Sequence, residues 1–304
     1  MATASDRLRR ARPLLGTFVE IAVARAAPDV MEAAVEAAFD AITRIHRRMS
    51  FHDPASDVSR LNRQAAAAAI AVDPWTFQVL ERAVELHRRT AGIFDIAVAP
   101  ALQRAGLLPG TKRARPRGRV AADADDPIEL LPGCRVRFRD EHVAIDLGGI
   151  AKGFAVDRAL DTLRQHGLAH GLVNAGGDLA VFGSEPQPVS IRHPLNPHQL
   201  ICHVRLANEA LASSGSCLDL FEPSNVPRHA IIDPRTQEPP RAIAGASVRA
   251  PSCLMADALT KVVMIQGEDS AALLDRYHAS ALVVSNAGEI SVTPGWLDGK
   301  TLAA

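Results

Sequence analysis

Aromatic residues are scarce in this sequence, at 4% of its 304 positions, and neither sign of charge is in excess. The 34 acidic residues balance the 34 lysines and arginines, which gives a formal net charge of zero at pH 7. Proteins that bind nucleic acid usually present excess positive charge to phosphates and aromatic rings to the bases. Both shortages argue against a nucleic-acid partner, and the neutral charge also argues against binding to an anionic membrane surface.

Cysteine motifs and long apolar runs are missing as well. The cysteines are widely spaced and form neither a CxxC motif nor a cysteine–histidine zinc pattern; they are Cys134, Cys202, Cys217 and Cys253. We expect reduced thiols in the core, where free cysteine is commonly found. No segment reaches the roughly 18 consecutive apolar residues of a membrane span. The arginines near the N-terminus are not followed by the apolar stretch of a signal peptide, so we expect a cytoplasmic protein.

The composition that remains is typical of a globular protein, with 47% hydrophobic and 22% charged residues. Predicted strands often follow one another in sequence, with helices between the pairs. This order favours a mixed α+β fold over a doubly wound parallel sheet. We predict a single domain over residues 1–304, with a solvated loop at about 104–126 in which basic residues precede acidic ones.

Apolar spacing and helix-breaking residues define the main elements. The predicted elements are a strand at 14–24, a helix at 28–48, a helix at 74–90, a strand or extended segment at 94–102, a hairpin that turns at 140–141, and helices after residues 149 and 252.

The stretch IDLGGIAKG, residues 145–153, combines Asp146, two glycines and Lys152 where a strand-like run passes into a helix. Gly148 and Gly149 remove side chains there, and the N-terminus of a helix presents unpaired N–H groups that suit an anion. The spacing matches neither GxGxxG nor GxxxxGK[ST], so neither standard nucleotide loop applies. A purely structural turn is the alternative, but the glycine and carboxylate pattern recurs in NAGGDL, residues 174–179.

A second candidate is MADALTKVV, residues 255–263. On a helix, Asp257 shares a face with Thr260 and Lys261, because residues three and four positions apart are neighbours. A carboxylate and a hydroxyl one turn apart can present hard oxygen ligands to Mg²⁺. An exposed Asp257–Lys261 pair is the alternative, but the apolar residues around it indicate a buried helix, on which an ionised carboxylate needs a partner.

Two further segments carry polar groups near turns. LASSGS, residues 211–216, offers hydroxyls and backbone N–H groups suited to a phosphate or a ribose. HAIIDPRT, residues 229–236, begins with His229, although a lone histidine is more often structural than catalytic. Asp95 follows a glycine break, where a carboxylate commonly satisfies local backbone groups.

These motifs occur in one order along the chain: LLGT, SDVSRLN, GIFDIAVAP, IDLGGIAKG, NAGGD, SSGS, IIDPRT and ADALT. Together they resemble the FAD:protein FMN transferases, from about Leu14 to Met264. The resemblance implies a Mg²⁺-dependent transfer of FMN from FAD to a threonine hydroxyl of an acceptor flavoprotein, with release of AMP. It also implies a T-fold-like α+β architecture of mixed or antiparallel sheets and helices, in two lobes around an FAD cleft.

The resemblance assigns roles to individual residues. It implies that FAD is contacted by Leu15, His52, Ile93, Phe94, Asp95, Asp146, Lys152 and Ile232. The implied metal ligands are the backbone carbonyl of Gly149, the carboxylate of Asp257 and a side chain at position 260 or 261. Asp257 and His229 are the implied catalytic residues; Asp257 holds the metal, and His229, or a water held by a carboxylate, takes the threonine proton.

Four positions depart from the family pattern. Leu15 stands where the family usually has a methionine, and Ala230 stands where it has the histidine that is found one place earlier here. Lys261 stands where the family usually has Thr or Ser as a second metal ligand, and His52 stands where a tyrosine often packs on the flavin. A protonated lysine cannot bind Mg²⁺. Either Thr260 supplies the missing hydroxyl, or Lys261 itself supplies the positive charge beside Asp257 and a phosphate.

Two other functions are compatible with the same residues. One is hydrolysis of FAD to FMN and AMP, with water in place of the threonine. The other is a non-catalytic FAD-binding protein, which the altered ligand at Lys261 would explain.

Overall fold

The computed structural model describes residues 7–110, 126–215 and 231–297, together with the backbone of residues 301–303. The chain forms two compact units. The first comprises Met1–Arg44, Lys152–Arg228 and Arg241–Ala304, and the second comprises Ile45–Ala151 and His229–Pro240. The single domain expected over residues 1–304 stays a prediction. Of the loop expected at about 104–126, residues 111–125 lie outside the described residues.

The described elements alternate between helices and strands along the chain. The helices are α1 (Pro28–Met49), α2 (Asp57–Gln64), α3 (Pro74–Arg89), α4 (Ala99–Arg104), α5 (Ala151–Gln165), α6 (Cys253–Gln266) and α7 (Ala271–Arg276). The strands are β1 (Arg7–Leu14), β2 (Thr17–Ala24), β3 (Ile70–Ala71), β4 (Ile128–Leu131), β5 (Arg135–Phe138), β6 (Gly171–Ala175), β7 (Asp178–Phe182), β8 (Gln187–His193), β9 (Asn196–Leu206), β10 (Ala210–Gly215), β11 (Ile243–Ala250), β12 (Ser280–Ser285), β13 (Ile290–Val292) and β14 (Thr301–Ala303).

The first unit is built on an eight-stranded sheet in the order β1-β2-β6-β7-β10-β11-β12-β13. All of its neighbouring strands are antiparallel, which confirms the mixed α+β class. A smaller antiparallel sheet, in the order β14-β9-β8, belongs to the same unit. The central strand β11 is buried at every position, as expected where both faces of a sheet are covered.

Helix α6 packs on one face of the large sheet, against β10 and β11. Small side chains on these strands, such as Ala212 paired with Val248 and Ser214 paired with Ala246, let the helix approach closely. The opposite face carries a second core that joins the two sheets. That core consists of Leu179, Val181, Leu211, Leu282, Val284, Ile191, Cys202, Val204, Leu206 and Trp296.

The second unit contains α2, α3, α4 and a small antiparallel sheet in the order β3-β5-β4. Helix α2 begins after Ser56, whose hydroxyl accepts a hydrogen bond from the N–H of Ser59 at 3.0 Å. The carboxylate of Asp57 is buried but satisfied, since it accepts from the Asp73 N–H and the Thr76 hydroxyl, both at 2.9 Å. These bonds join the starts of α2 and α3.

The two longest predicted helices are confirmed to within a residue of their ends, as α1 and α3. The hairpin prediction at 140–141 is wrong, because β4 and β5 turn at Pro132–Cys134, where Gly133 and Cys134 both have a positive φ. The strand or extended segment expected at 94–102 is also wrong. There the Asp95 carboxylate accepts from the Ala97 N–H at 2.7 Å, and α4 follows with Pro100 in its first turn.

Two expectations from composition can be compared with the described part of the chain. Cys134, Cys202 and Cys253 are unpaired, as expected, and Cys202 and Cys253 are buried; Cys217 lies outside the described residues. Among the described helices, none combines the length and the apolar character that crossing a bilayer requires.

Candidate active site

Four charged residues of the first unit form a partly buried cluster, which we call the Lys–Asp cluster: Lys152, Asp178, Asp257 and Lys261. Lys152 is in the first turn of α5, Asp178 begins β7, and Asp257 and Lys261 lie one turn apart on α6. The two carboxylate side chains are at most 1% exposed, whereas those of Lys152 and Lys261 are 32% and 16% exposed. The negative charges of the cluster are thus fully buried, whereas its lysine side chains are partly exposed to solvent.

Both oxygens of the Asp257 carboxylate are already bonded. Oδ2 accepts from the Gly153 N–H at 3.0 Å, and Oδ1 accepts from the ammonium of Lys261. Burial raises the pKa of Asp257, but the positive charges of Lys261 and Lys152 lower it by more, so the net shift is downward. Asp257 is therefore ionised at neutral pH.

Within the described part of the chain, the ammonium of Lys261 contacts three oxygen atoms, all on its own helix. Its Nζ donates to the Asp257 carboxylate, to the Asp257 backbone carbonyl at 3.0 Å and to the Thr260 hydroxyl at 3.1 Å. The Thr260 hydroxyl itself donates to the Asp257 carbonyl at 2.7 Å and lies 2.7 Å from the hydroxyl of Ser214. Ser214 belongs to the LASSGS segment, so this contact ties the end of β10 to the cluster.

Lys152 and Asp178 form the other half of the cluster. The Lys152 ammonium donates to Oδ2 of Asp178, and Oδ1 of Asp178 is buried with no hydrogen-bond partner among the described residues. Burial, and then the charge of Asp257, raise the pKa of Asp178 to about 6, although Lys152 and Lys261 oppose this. Burial lowers the pKa of Lys152, but Asp257 and Asp178 raise it more, so Lys152 stays protonated.

Glycines bring the elements of the cluster close together. A Cβ at Gly153 would lie 2.2 Å from the backbone oxygen of Cys253, so only glycine lets the first turn of α5 touch the start of α6. Asp178 follows a turn in which Gly176 and Gly177 have φ values of 67° and 102°. Asn174 closes this turn by accepting from the Gly177 N–H at 2.9 Å.

Asp157, one turn after Gly153 on α5, caps the neighbouring helix. Its carboxylate accepts from the N–H groups of Cys253 and Leu254 at 2.8 and 2.9 Å, at the N-terminus of α6. Burial raises the pKa of Asp157 from 3.8 to about 6, although the two N–H groups lower it. This cap positions the helix that carries Asp257 and Lys261.

We expect Asp157 to make the stability of the protein depend on pH. Because its folded pKa is the higher one, the folded chain binds the proton more tightly, and stability falls as the pH rises from about 4 to about 6. A shift of this size corresponds to about 3 kcal/mol. Asp157→Asn lacks this titrating group. As the pH rises from about 4 to about 6, the unfolding free energy of the wild type should therefore fall relative to that of the variant. Urea unfolding at several pH values measures the difference, and parallel pH profiles for the two proteins would contradict the assignment.

The second unit carries another part of the predicted site, around Asp146. Asn62 fixes the preceding residue, since its amide donates to the Ile145 carbonyl at 2.9 Å and accepts from the Ile145 N–H at 2.8 Å. The Asp146 carboxylate accepts from the Gly148 N–H at 3.1 Å. Burial raises the pKa of Asp146, against the effect of this bond and of His52 nearby. Asn62 and His52 therefore belong to the surroundings of Asp146.

The other residues that the resemblance assigns to FAD lie in varied surroundings. In the second unit, Ile93, Phe94 and Ile232 are buried, Asp95 bonds to the Ala97 N–H, and His52 is exposed with its ring centroid 6.2 Å from that of Phe51. In the first unit, Leu15 forms the β1–β2 turn with a φ of 57°.

Of the remaining implied metal ligand and the implied base, the structure describes only the metal ligand. Gly149 lies in the turn before α5, where the Leu147 carbonyl accepts from the Ala151 N–H at 2.8 Å. His229 lies outside the described residues, so its assignment as a base stays a prediction.

One member of the Lys–Asp cluster, Asp178, and two residues that support it, Gly153 and Asp157, could not be placed from the sequence alone. Asp178 was recognised only as part of a repeated glycine–carboxylate pattern, and that pattern was the signal that could have placed it beside Lys152. Gly153 and Asp157 belong to the stretch IDLGGIAKGFAVD that carries the family resemblance, but the sequence did not indicate their partners, which lie about a hundred positions away in the chain. Among the described residues, no three His, Cys, Asp or Glu side chains are grouped as a metal site.

The chain is similar to known proteins in both sequence and structure. A sequence model of the ApbE family matches residues 15–283. An FAD:protein FMN transferase of Rhodobacter capsulatus is 30% identical over 235 residues, which are 74% of this chain and 45% of that protein. The chain thus covers under half of the length of that relative. The FAD:protein FMN transferase of Treponema pallidum is 28% identical, over 88% of this chain and 81% of that protein.

Solved structures agree with this result. The crystal structure of the ApbE protein of Thermotoga maritima superposes with a TM-score of 0.81 at 26% identity, over 95% of this chain and 97% of that one. The flavin transferase ApbE of Vibrio cholerae superposes with a TM-score of 0.79 over 96% of this chain and 98% of that one, and at 21% identity this shows the fold alone.

Proposed function

Since the chain belongs to the ApbE family, we propose that it is an FAD:protein FMN transferase, which moves the FMN part of FAD onto an acceptor protein. In this reaction an acceptor oxygen forms a bond to the flavin-side phosphorus, and the bond from that phosphorus to the bridging oxygen breaks. The bridging oxygen leaves with AMP and takes the bond's electron pair. The acceptor hydroxyl gives its proton to a base.

The observation that carries this proposal is the extent of the family match. Residues 15–283 include the whole Lys–Asp cluster and the whole segment around Asp146. Both features therefore lie within the part of the chain that the family model matches.

The partly exposed lysines of the cluster suit the diphosphate of FAD. Diphosphate is an anion, and phosphoryl transfer adds charge that positive groups stabilise. Lys152 and Lys261 supply such groups, and the buried carboxylates of Asp178 and Asp257 hold them in place. We assign the binding of the diphosphate to these two lysines.

The remaining assignments from the resemblance enter the proposal as contacts with FAD. In the second unit they are His52, Ile93, Phe94, Asp95, Asp146 and Ile232, and in the first unit Leu15. The proposed acceptor is a threonine hydroxyl of a flavoprotein, and the proposed base is His229 or a water held by a carboxylate. The cytoplasmic location also stays a prediction.

The described residues do not fit a divalent cation at Asp257. One oxygen of its carboxylate is bonded to Gly153 and the other to Lys261, while the hydroxyl of Thr260 is turned to the backbone and to Ser214. An ammonium about 4 Å from a metal ion would also repel it, by about 4 kcal/mol per unit of charge at an effective dielectric constant of 20. The residues of this chain are therefore assigned their roles without a metal ion.

Transfer is tested by incubating the purified protein with FAD and a flavoprotein domain that carries the acceptor threonine. We expect one FMN to be joined to the acceptor and one AMP to be released, as measured by intact-mass spectrometry and chromatography. An acceptor with Thr→Ala is the control and should stay unmodified.

The same assay separates the two alternatives. AMP released at the same rate without an acceptor would indicate hydrolysis of FAD instead of transfer. Binding of FAD with no AMP under any condition would indicate a non-catalytic flavin-binding protein.

A further inference from the structure

The charges of the Lys–Asp cluster cancel. Lys152 and Lys261 contribute two positive charges, and Asp178 and Asp257 contribute two negative charges when ionised. A cation site in a protein normally carries excess negative charge that the ion neutralises. Here a divalent ion would enter surroundings that are already neutral, so the cluster offers it no net attraction.

The Lys261 ammonium also occupies the oxygen atoms that a small cation would need. Its Nζ is bonded to a carboxylate oxygen, a backbone carbonyl and a threonine hydroxyl, the three kinds of oxygen that proteins use for hard cations. Asp257, which supplies two of these oxygens, is completely buried. The ammonium is thus held by the same kinds of oxygen as a bound ion would be, but it cannot dissociate because it is covalently part of the chain.

The choice of lysine at these positions is unusual for this chain. Of its 34 basic residues other than histidine only four are lysines, at positions 112, 152, 261 and 300, and the rest are arginines. An arginine has a broad planar group, whereas the lysine ammonium is compact and directs three donors from one atom. Two of the four lysines stand in the cluster, each with its compact ammonium bonded to a buried carboxylate.

We propose that the ammonium of Lys261 takes the place of a divalent cation in this protein, so that FAD binding and flavin transfer proceed without a metal ion. The inference about transfer rests on the proposed function. The inference about the metal does not, because it concerns only which ions the cluster accepts. The two parts are therefore tested separately.

Metal binding is tested with Mn²⁺ as the probe, by electron paramagnetic resonance on the full-length protein. The wild type should show no saturable site. Lys261→Thr lowers the charge of the cluster to −1 and frees Oδ1 of Asp257, so its affinity for Mn²⁺ should be higher by at least about 100-fold. Gln266→Thr places the same side chain at the far end of α6 and should behave as the wild type does. Tight binding of one Mn²⁺ by the wild type, lost in Asp257→Asn, would overturn the proposal even if Lys261→Thr failed to fold.

Metal dependence is tested by flavin transfer and FAD binding in EDTA and in Mg²⁺. The wild type should have the same FAD affinity and the same rate in both media, and Lys261→Thr should need Mg²⁺ for both. A wild-type rate that is lost in EDTA and restored by Mg²⁺ would refute the proposal. If the wild type transfers no flavin in either medium, the proposed function fails, and the Mn²⁺ measurement still decides whether Lys261 replaces the cation.

Discussion

Gly153→Ala is expected to destabilise the protein by about 3 kcal/mol or more. The added Cβ would lie 2.2 Å from the oxygen and 2.6 Å from the carbon of the Cys253 backbone carbonyl, and 2.8 Å from the Cα of Leu254. Backbone atoms cannot turn aside as a flexible side chain can, so α5 and α6 would have to separate. Their separation would break the bond from the Gly153 N–H to Asp257 and disturb the whole cluster.

Helix propensity makes the opposite prediction for this variant. An alanine inside a helix is favoured over glycine by about 1 kcal/mol, so Gly153→Ala would stabilise α5 if the helix stood alone. Gly167→Ala, just beyond the other end of α5, is the matched control. It meets no atom within 4 Å and incurs only the cost of a positive φ, about 1 kcal/mol. Urea unfolding measures both, and a Gly153→Ala variant as stable as the wild type would contradict the packing described for α5 and α6.

Asp257→Asn is expected to reduce flavin transfer by at least about 100-fold, because Lys261 loses the carboxylate that positions it and Lys152 loses a nearby negative charge. The substitution preserves shape but leaves a partly buried positive charge without its partner, so it should also lower stability by about 3 kcal/mol or more. Rates from the acceptor assay and unfolding free energies test the two effects. Asp275→Asn, at an exposed position on α7, is the control and should change neither.

A double variant separates the structural from the functional role of Asp257. Asp257→Asn combined with Lys261→Met leaves Lys152 paired with Asp178 and restores a neutral cluster. Most of the lost stability should return, because a neutral pair replaces an unpaired buried charge. Transfer should stay low, because one of the two ammonium groups that we assign to the diphosphate is gone. Recovery of activity together with stability would show that the role of Asp257 and Lys261 is structural only.

Much of the site could be predicted from local sequence. The apolar pattern around MADALTKVV indicates a buried helix, and helical spacing places Asp257 one turn from Lys261, as observed. The IDLGGIAKG stretch likewise passes into a helix, although that helix begins only at Ala151. These features depend on residues close together in the chain, and local physical rules cover them.

The rest depends on contacts between distant segments. Asp178 meets Lys152 only because α6 packs on β7 and the first turn of α5, which carries Lys152, lies against the start of α6. The wrong hairpin prediction has a related cause, since Asp140 and Glu141 form a polar turn by themselves, but the strand pairing is fixed by the turn at Gly133 and Cys134. Pairing between segments cannot be derived from one segment alone.

The central claim, that this protein uses FAD, is tested most directly by titrating it with FAD in the presence of EDTA while flavin fluorescence is recorded. This measurement requires no acceptor protein. We expect a saturable change with one FAD bound per chain, weakened in Asp257→Asn and unchanged in Asp275→Asn. The account would be contradicted if the wild-type protein left the flavin fluorescence unchanged at a large excess of protein or of FAD, both in EDTA and in Mg²⁺.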